Sequence, residues 1–245
     1  TGGLRALEKF LYQKAEKIIT LLPYADNYIA GLGISRDKVI WIPNGVDLSR
    51  YRKLKPYDGG ISKNFTIMYL GGHSKYHHLE TILDAAKILQ DEKKNAIKFI
   101  LIGDGSEKNS LIQYSKKSNL QNVEFRNIVP KNKIAELMGE ADAFVYSFIG
   151  LDLLKYGMSP VKLFDYLSSQ RPILYAAKGA NNPVEEAKAG ITVPPENPPT
   201  LVQAIKRLVA MNPEERIRMG KSGIEYIKKH HDIKILAARL EHVLI

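Results

Sequence analysis

Three stretches of this 245-residue chain carry side chains and backbone that could handle a phosphorylated ligand. The first, Gly71-Gly72-His73-Ser74-Lys75-Tyr76-His77-His78, places a glycine pair, a lysine and three histidines ahead of an apolar-periodic run. A glycine pair before a helix N-terminus allows backbone N–H groups and the macrodipole to face an anion. The three histidines have no carboxylate close in sequence to complete a metal set, and as loop residues they would ordinarily be exposed. The second stretch is the turn Gly103-Asp104-Gly105. It lacks the third glycine and the downstream acid of a dinucleotide fingerprint, which argues against a nicotinamide enzyme. The third, residues 157–198, reads GMSPVKLFDYLSSQRPILYAAKGANNPVEEAKAGITVPPENP. It predicts a helix over 161–168, a buried strand over 172–175, a small-residue loop over 178–183 and a strand over 191–193. Asp165 sits on that helix beside Leu163, Phe164 and Leu167. A lone helical Asp is ordinarily a solvated face residue, but a loop of small residues directly after the strand suits close approach of a ligand to the backbone.

Positioning these stretches requires alternating strands and helices. From Phe65 the pattern is regular: strands at 65–70, 98–102, 123–125 and 143–146, with helices at 79–90 and 133–139, lead into the third stretch. The first of these helices presents Leu79, Ile82, Leu83, Ala86 and Leu89 as one buried face. Such alternation predicts an α/β, doubly wound parallel sheet. Upstream, Leu4, Leu7, Leu11, Ala15 and Ile18 recur at helical spacing over residues 1–20 and run into a strand-like 18–22. A short helix over 27–32 closed by Gly33, a strand over 38–43 and an Asn44-Gly45-Val46-Asp47 turn follow. Residues 49–64, rich in Lys, Tyr, Gly and Pro, read as a linker. The C-terminal part predicts helices over 200–211, 213–230 and 233–244, the second opened by Pro213.

Composition bounds the function. The hydrophobic content of 44% suits a packed core. With no cysteine there are no disulfides and no thiolate metal sites. No apolar run approaches the roughly 20 residues of a spanning helix, and no signal-peptide pattern opens the chain, so a cytoplasmic protein is expected. A net charge of +10 favours anionic partners. The lysine pairs are short and scattered, and neither a basic-aromatic RNA motif nor zinc-finger spacing occurs, so nucleic acid is not expected.

The wording KLFDYLSSQRPIL, the IPNGVD segment and the Gly-Ile-Thr-Val-Pro end of the third stretch resemble family 4 glycosyltransferases, retaining enzymes of the GT-B fold, and in particular their bacterial polysaccharide branch. The resemblance implies a Rossmann-like nucleotide-sugar domain at 65–230, a partial N-terminal α/β domain at 1–48 left from the acceptor-binding half, a linker at 49–64 and a helix at 231–245 crossing back toward the N-terminal part. It implies that Asp165 holds the donor ribose and that Gly71, Gly72, Gly103 and Gly105 pack their backbone near the nucleotide. Val129 follows as a base contact, and Leu163 belongs to the same substrate-binding set. The family's first acid is replaced by Gly157. Its two phosphate-gripping cations are replaced by Gly72 and His77, leaving Lys75 and Lys162 to supply positive charge. A neutral histidine neutralises less than a lysine unless the phosphate raises its pKa.

Glycosyl transfer needs the departing diphosphate stabilised and the anomeric carbon held near an acceptor hydroxyl. No Asp-x-Asp pair occurs, so no required metal and no cofactor are expected. The expected donor is a UDP-sugar, with GDP-sugar behind it. The expected acceptor is a saccharide or a lipid-linked saccharide, the latter fitting peripheral association with the inner face of the membrane. With most acceptor groups missing, the chain alone is expected to be inactive. Two rivals stay open: a sugar-nucleotide epimerase of the same fold, and a flavodoxin-like binding module with Asp104 as its only candidate phosphorylatable acid.

Overall fold

The computed structural model describes residues 2–245; Thr1, which the sequence reading includes in the first helix, lies outside them. The chain opens with α1 (Gly2–Lys14), β1 (Ile18–Thr20), α2 (Ala25–Gly31) and β2 (Val39–Trp41). It continues through β3 (Phe65–Leu70), α3 (Glu80–Asp91), β4 (Ile97–Ile102), α4 (Lys108–Lys117), β5 (Val123–Arg126), α5 (Ile134–Met138) and β6 (Ala143–Ser147). Then come α6 (Val161–Ser168), β7 (Ile173–Ala176), the single turn α7 (Pro183–Glu186), β8 (Gly190–Val193), α8 (Pro198–Ala210), α9 (Pro213–His230) and α10 (Ile233–Leu244).

Six of the strands form one sheet in the order β5-β4-β3-β6-β7-β8, every pair parallel. The near-continuous apolar wording of β3, β4, β6 and β7 follows from burial on both faces. On one face Ile67, Tyr69, Phe99 and Val145 pack with α3 and α8 through Ile82, Leu83, Leu201 and Ile205. On the other, Met68, Ile100, Phe144 and Tyr175 pack with α5, α6 and α9 through Met138, Leu163, Leu167 and Ile227. Strand order reverses between β3 and β6, and in such sheets ligands sit outside the carboxyl ends of the strands at that point.

The predicted buried face of the helix after β3 is confirmed: Leu79, Ile82, Leu83, Ala86 and Leu89 are all buried. Helix α4 is an element the periodicity did not reveal. It is strongly polar and buries only Leu111 and Ser115. α1 ends at Lys14 and buries no residue, so Leu4, Leu7 and Leu11 stand exposed and Ile18 belongs to a strand.

β1 and β2 form a parallel pair over a small cluster of Ile18, Ile29 and Ile34. This unit is tied to the large one by the chain's last helix and by the loop before α6. Val46 bridges Asp232, and Arg239 Nη2 donates to the Trp41 carbonyl at 2.7 Å. Asn44 Nδ2 donates to the Ser159 carbonyl at 2.6 Å. Residues 49–64 are anchored near their middle, because two buried arginines grip them. Arg171 Nη2 donates to the Lys55 carbonyl at 2.7 Å, and Arg216 Nε donates to that of Gly59 at 2.6 Å.

Candidate functional site

At the reversal point, β3 and β4 end in glycines because their two loops touch. A Cβ on Gly103, where φ is +150°, would fall 1.8 Å from the Gly71 carbonyl oxygen. No side chain fits that gap. Gly71 itself, at φ +155°, lies against α6: a Cβ there would fall 2.1 Å from Lys162 Cε. Helix α6 is held at this distance by Tyr166, whose hydroxyl accepts from the Leu70 N–H and donates to the Leu70 carbonyl, both at 2.8 Å. One turn earlier, Lys162 Nζ donates to the Tyr69 hydroxyl at 2.6 Å, and that hydroxyl donates to the Gly72 carbonyl at 2.7 Å.

The electrostatics of this cradle are one-sided. Burial alone brings the Lys162 ammonium down to about 7, with no carboxylate beside it to oppose the shift. His77, whose Nδ1 lies 2.9 Å from Ser74 Oγ, is lowered to about 4 by burial and by Lys162 and His73. His73 is fully buried, and neither ring nitrogen has a hydrogen-bond partner. Burial, Lys108 and Lys162 lower it to about 4 against the opposing Asp104. Polar groups buried without partners cost free energy, as does a desolvated amine, and an anion at the loop would relieve the second of these.

Asp165 lies one turn beyond Lys162 with its side chain 16% exposed. Its Oδ1 accepts from the Tyr51 hydroxyl and lies 3.8 Å from Arg50 Nη1. Burial raises the carboxyl above its usual range, and the Tyr51 hydrogen bond and Arg50 work against that rise. Arg50 also lines a cavity of about 860 Å³ with Arg52, Lys53, Lys131, Lys133 and Glu136. A separate concavity of about 520 Å³ opens at the ends of β6 and β7, lined by Lys155, Lys178, Gly179 and Ala180 among others.

The structure thus brings Gly71, Gly72, His77, Gly103, Gly105 and Lys162 together, with Asp165 next in line. Lys75 stands apart, exposed, its Nζ 5.3 Å from the centre of the Tyr76 ring. Val129 is half-buried in the loop after β5. Leu163 is fully buried in the core and has no side-chain surface for a ligand. His73 and Tyr51 are the site residues that sequence reasoning missed. His73 was expected in the open, but its main chain is drawn inward: its N–H donates to the Asp104 carbonyl at 2.8 Å. The missing acid at Gly157 also has a cause. Gly157 sits at φ +91°, and a Cβ would fall 2.5 Å from Pro23 Cγ.

Among the described residues no three His, Asp or Glu side chains converge as a metal set, and no helix is long and apolar enough to cross a membrane.

The model of the family described as Glycosyl transferases group 1 matches residues 64–211. No curated protein sequence matches the chain. Among solved structures, that of Anabaena HepE in complex with UDP is similar with a TM-score of 0.81 at 18% identity, covering 98% of this chain and 66% of that one. The same protein in complex with UDP-glucose gives 0.78, 18%, 98% and 66%. Sucrose-phosphate synthase from Thermosynechococcus elongatus gives 0.76, 18%, 98% and 60%. The chain therefore spans about two thirds of the length of these relatives or less. The likeness establishes the fold: an α/β arrangement of the GT-B type with a Rossmann-like parallel sheet.

Proposed function

Because this chain belongs to the group 1 glycosyl transferases, we propose that it carries the donor half of a nucleotide-sugar glycosyltransferase, of the retaining family 4 type, that uses a UDP-sugar. The observation that carries this reading is the cradle itself. The Gly71-Gly72 loop, Lys162 and His77 meet at the carboxyl ends of β3 and β4 with no acid paired to the lysine. A diphosphate supplies the negative charge that this arrangement lacks. Asp165 then takes the ribose hydroxyls, and the loop containing Val129 faces the base. The cavity beside Lys155 and Lys178 receives the transferred sugar. In the transition state charge builds on the departing diphosphate. Lys162 meets it from a half-buried position, where such an interaction is stronger than in open water.

The leaving charge is handled by these groups without a metal, so chelation with EDTA leaves nucleotide affinity unchanged. We further propose a saccharide or lipid-linked saccharide acceptor in cell-surface polysaccharide synthesis. The cation-rich cavity at Arg50, Arg52, Lys53, Lys131 and Lys133 suits peripheral contact with an anionic membrane face. The test is a thermal shift of the chain against UDP, GDP, ADP and NAD. A ligand at about 100 times its Kd stabilises by about 2.7 kcal/mol, several degrees for a chain of this size. A shift with UDP alone is expected. A shift with NAD alone, or with none of the four, would overturn the donor-site reading.

A further inference from the structure

Asp165 is not presented to the cleft by its own helix alone, because a residue 114 positions earlier in the chain holds its carboxylate. Asp47 accepts from the Ser49 N–H at 2.9 Å and so starts a tight turn over Leu48–Tyr51. That turn delivers Tyr51 into the core beside Phe144, Phe164 and Met158. There the phenol is buried, and its hydroxyl donates to Asp165 Oδ1. A carboxylate oxygen accepts two hydrogen bonds, so Oδ1 keeps one acceptor site and Oδ2, which no hydrogen bond reaches among the described residues, keeps both. The free acceptor sites are then fixed in one plane. A vicinal diol has two donors at a set separation and needs such a plane. An unrestrained aspartate would rotate about χ2, a broad torsion.

We propose that Tyr51 is a positioning residue that locks the Asp165 carboxylate in the orientation that accepts both hydroxyls of the donor ribose. The proposal rests on the reading that Asp165 grips the ribose. Its burial keeps the Tyr51 phenol protonated, and so a donor, across the working pH range. Removing one hydroxyl in Tyr51→Phe leaves the ring packing in place, but frees the carboxylate to turn.

The decisive experiment titrates the full chain and its variants with UDP and with 2′,3′-dideoxy-UDP by calorimetry. Wild type is expected to prefer UDP, and Asp165→Asn to lose most of that preference. Tyr51→Phe is expected to bind UDP about three- to tenfold more weakly, the size of one hydrogen bond, while its affinity for the dideoxy analogue is unchanged. In the Asp165→Asn background, Tyr51→Phe should have no further effect on the ratio. If Tyr51→Phe weakens both ligands equally, or keeps the full UDP preference while Asp165→Asn loses it, Tyr51 is a packing residue only and the proposal fails alone. If wild type binds the two ligands equally, the ribose reading of Asp165 fails and the proposal falls with it.

Discussion

Raising the pH from 7 to 9 is expected to weaken UDP binding about ten- to hundredfold, and the reason is Lys162. In the empty cradle its ammonium titrates at about 7, where an ordinary lysine titrates at 10.5. A bound diphosphate puts negative charge beside it and returns the value toward the ordinary one. Between the two values the complex holds more protons than the free chain. Binding then takes up a proton, and affinity falls by up to a factor of ten, about 1.4 kcal/mol, for each pH unit. In the free chain the other ionisable groups around Lys162 titrate outside this window. His73 and His77 titrate near 4, and burial lifts the Tyr69 phenol far above its usual range. Stability of the ligand-free chain runs the opposite way. Between 7 and 10.5 the unfolded state carries the extra proton, so burying Lys162 destabilises the chain in full below pH 7, and that cost falls as pH rises and vanishes above 10.5. Calorimetry at pH 8.5 in two buffers of different ionisation enthalpy counts the proton directly. About one is expected for wild type and none for Lys162→Met, which should also show a flat affinity profile. A wild-type affinity independent of pH, with no proton uptake, would refute the assignment of Lys162 to the diphosphate.

Three other outcomes follow from the geometry. Asp165→Ala should weaken UDP by about 1.5–3 kcal/mol, the range for a hydrogen bond to a charged group, and unchanged affinity in a titration would remove Asp165 from the site. Gly72 is open, its nearest would-be Cβ contact being His77 Cε1 at 3.8 Å. Gly72→Arg should therefore fold with stability within about 0.5 kcal/mol of wild type and tighten UDP about two- to fivefold, the size of an exposed ion pair; weaker binding would place the phosphates elsewhere. Gly157→Glu should not recreate the family's first acid but destabilise the chain by about 1–3 kcal/mol in urea unfolding, through its left-handed backbone and the Pro23 contact.

What was legible in the sequence was local. The alternation of strands and helices, the α3 face and the α6 helix all rest on spacing within a dozen residues, and the structure agrees with them closely. Helix α4 escaped because two buried side chains cannot print a period onto a polar run. The glycine loops stood out by residue type, whereas Lys162 entered only through the family resemblance. Neither the burial of His73 nor the reach of Tyr51 to Asp165 was legible, because both depend on loops that meet only after the sheet has assembled. Gly157 belongs with them: its departure from the family pattern was visible at once, while the reason lay with Pro23, far away in the chain. The exposed leucines of α1 show the converse, a clear helical period with no surface within the described residues to bury it.

The two arginines that secure residues 49–64 have a consequence for how the joint between the units responds to its surroundings. Arg171 donates to the carbonyls of Lys55, Gly139, Ala141 and Ser169, and Arg216 to those of Gly59, Leu208, Val209 and Met211. Neither is paired to a carboxylate. A peptide oxygen does not titrate, and a buried guanidinium surrounded by peptide dipoles is poorly reached by mobile ions. Acid that protonates surface carboxylates, or salt that screens them, leaves the bonds to these carbonyls made, although Asp142 and Asp58 also act on Arg171 through space. Tyr51 is carried by the same stretch of chain, but its own turn is started by the exposed Asp47 carboxylate, so acid acts on its seat beside Asp165 before it acts on the two anchors.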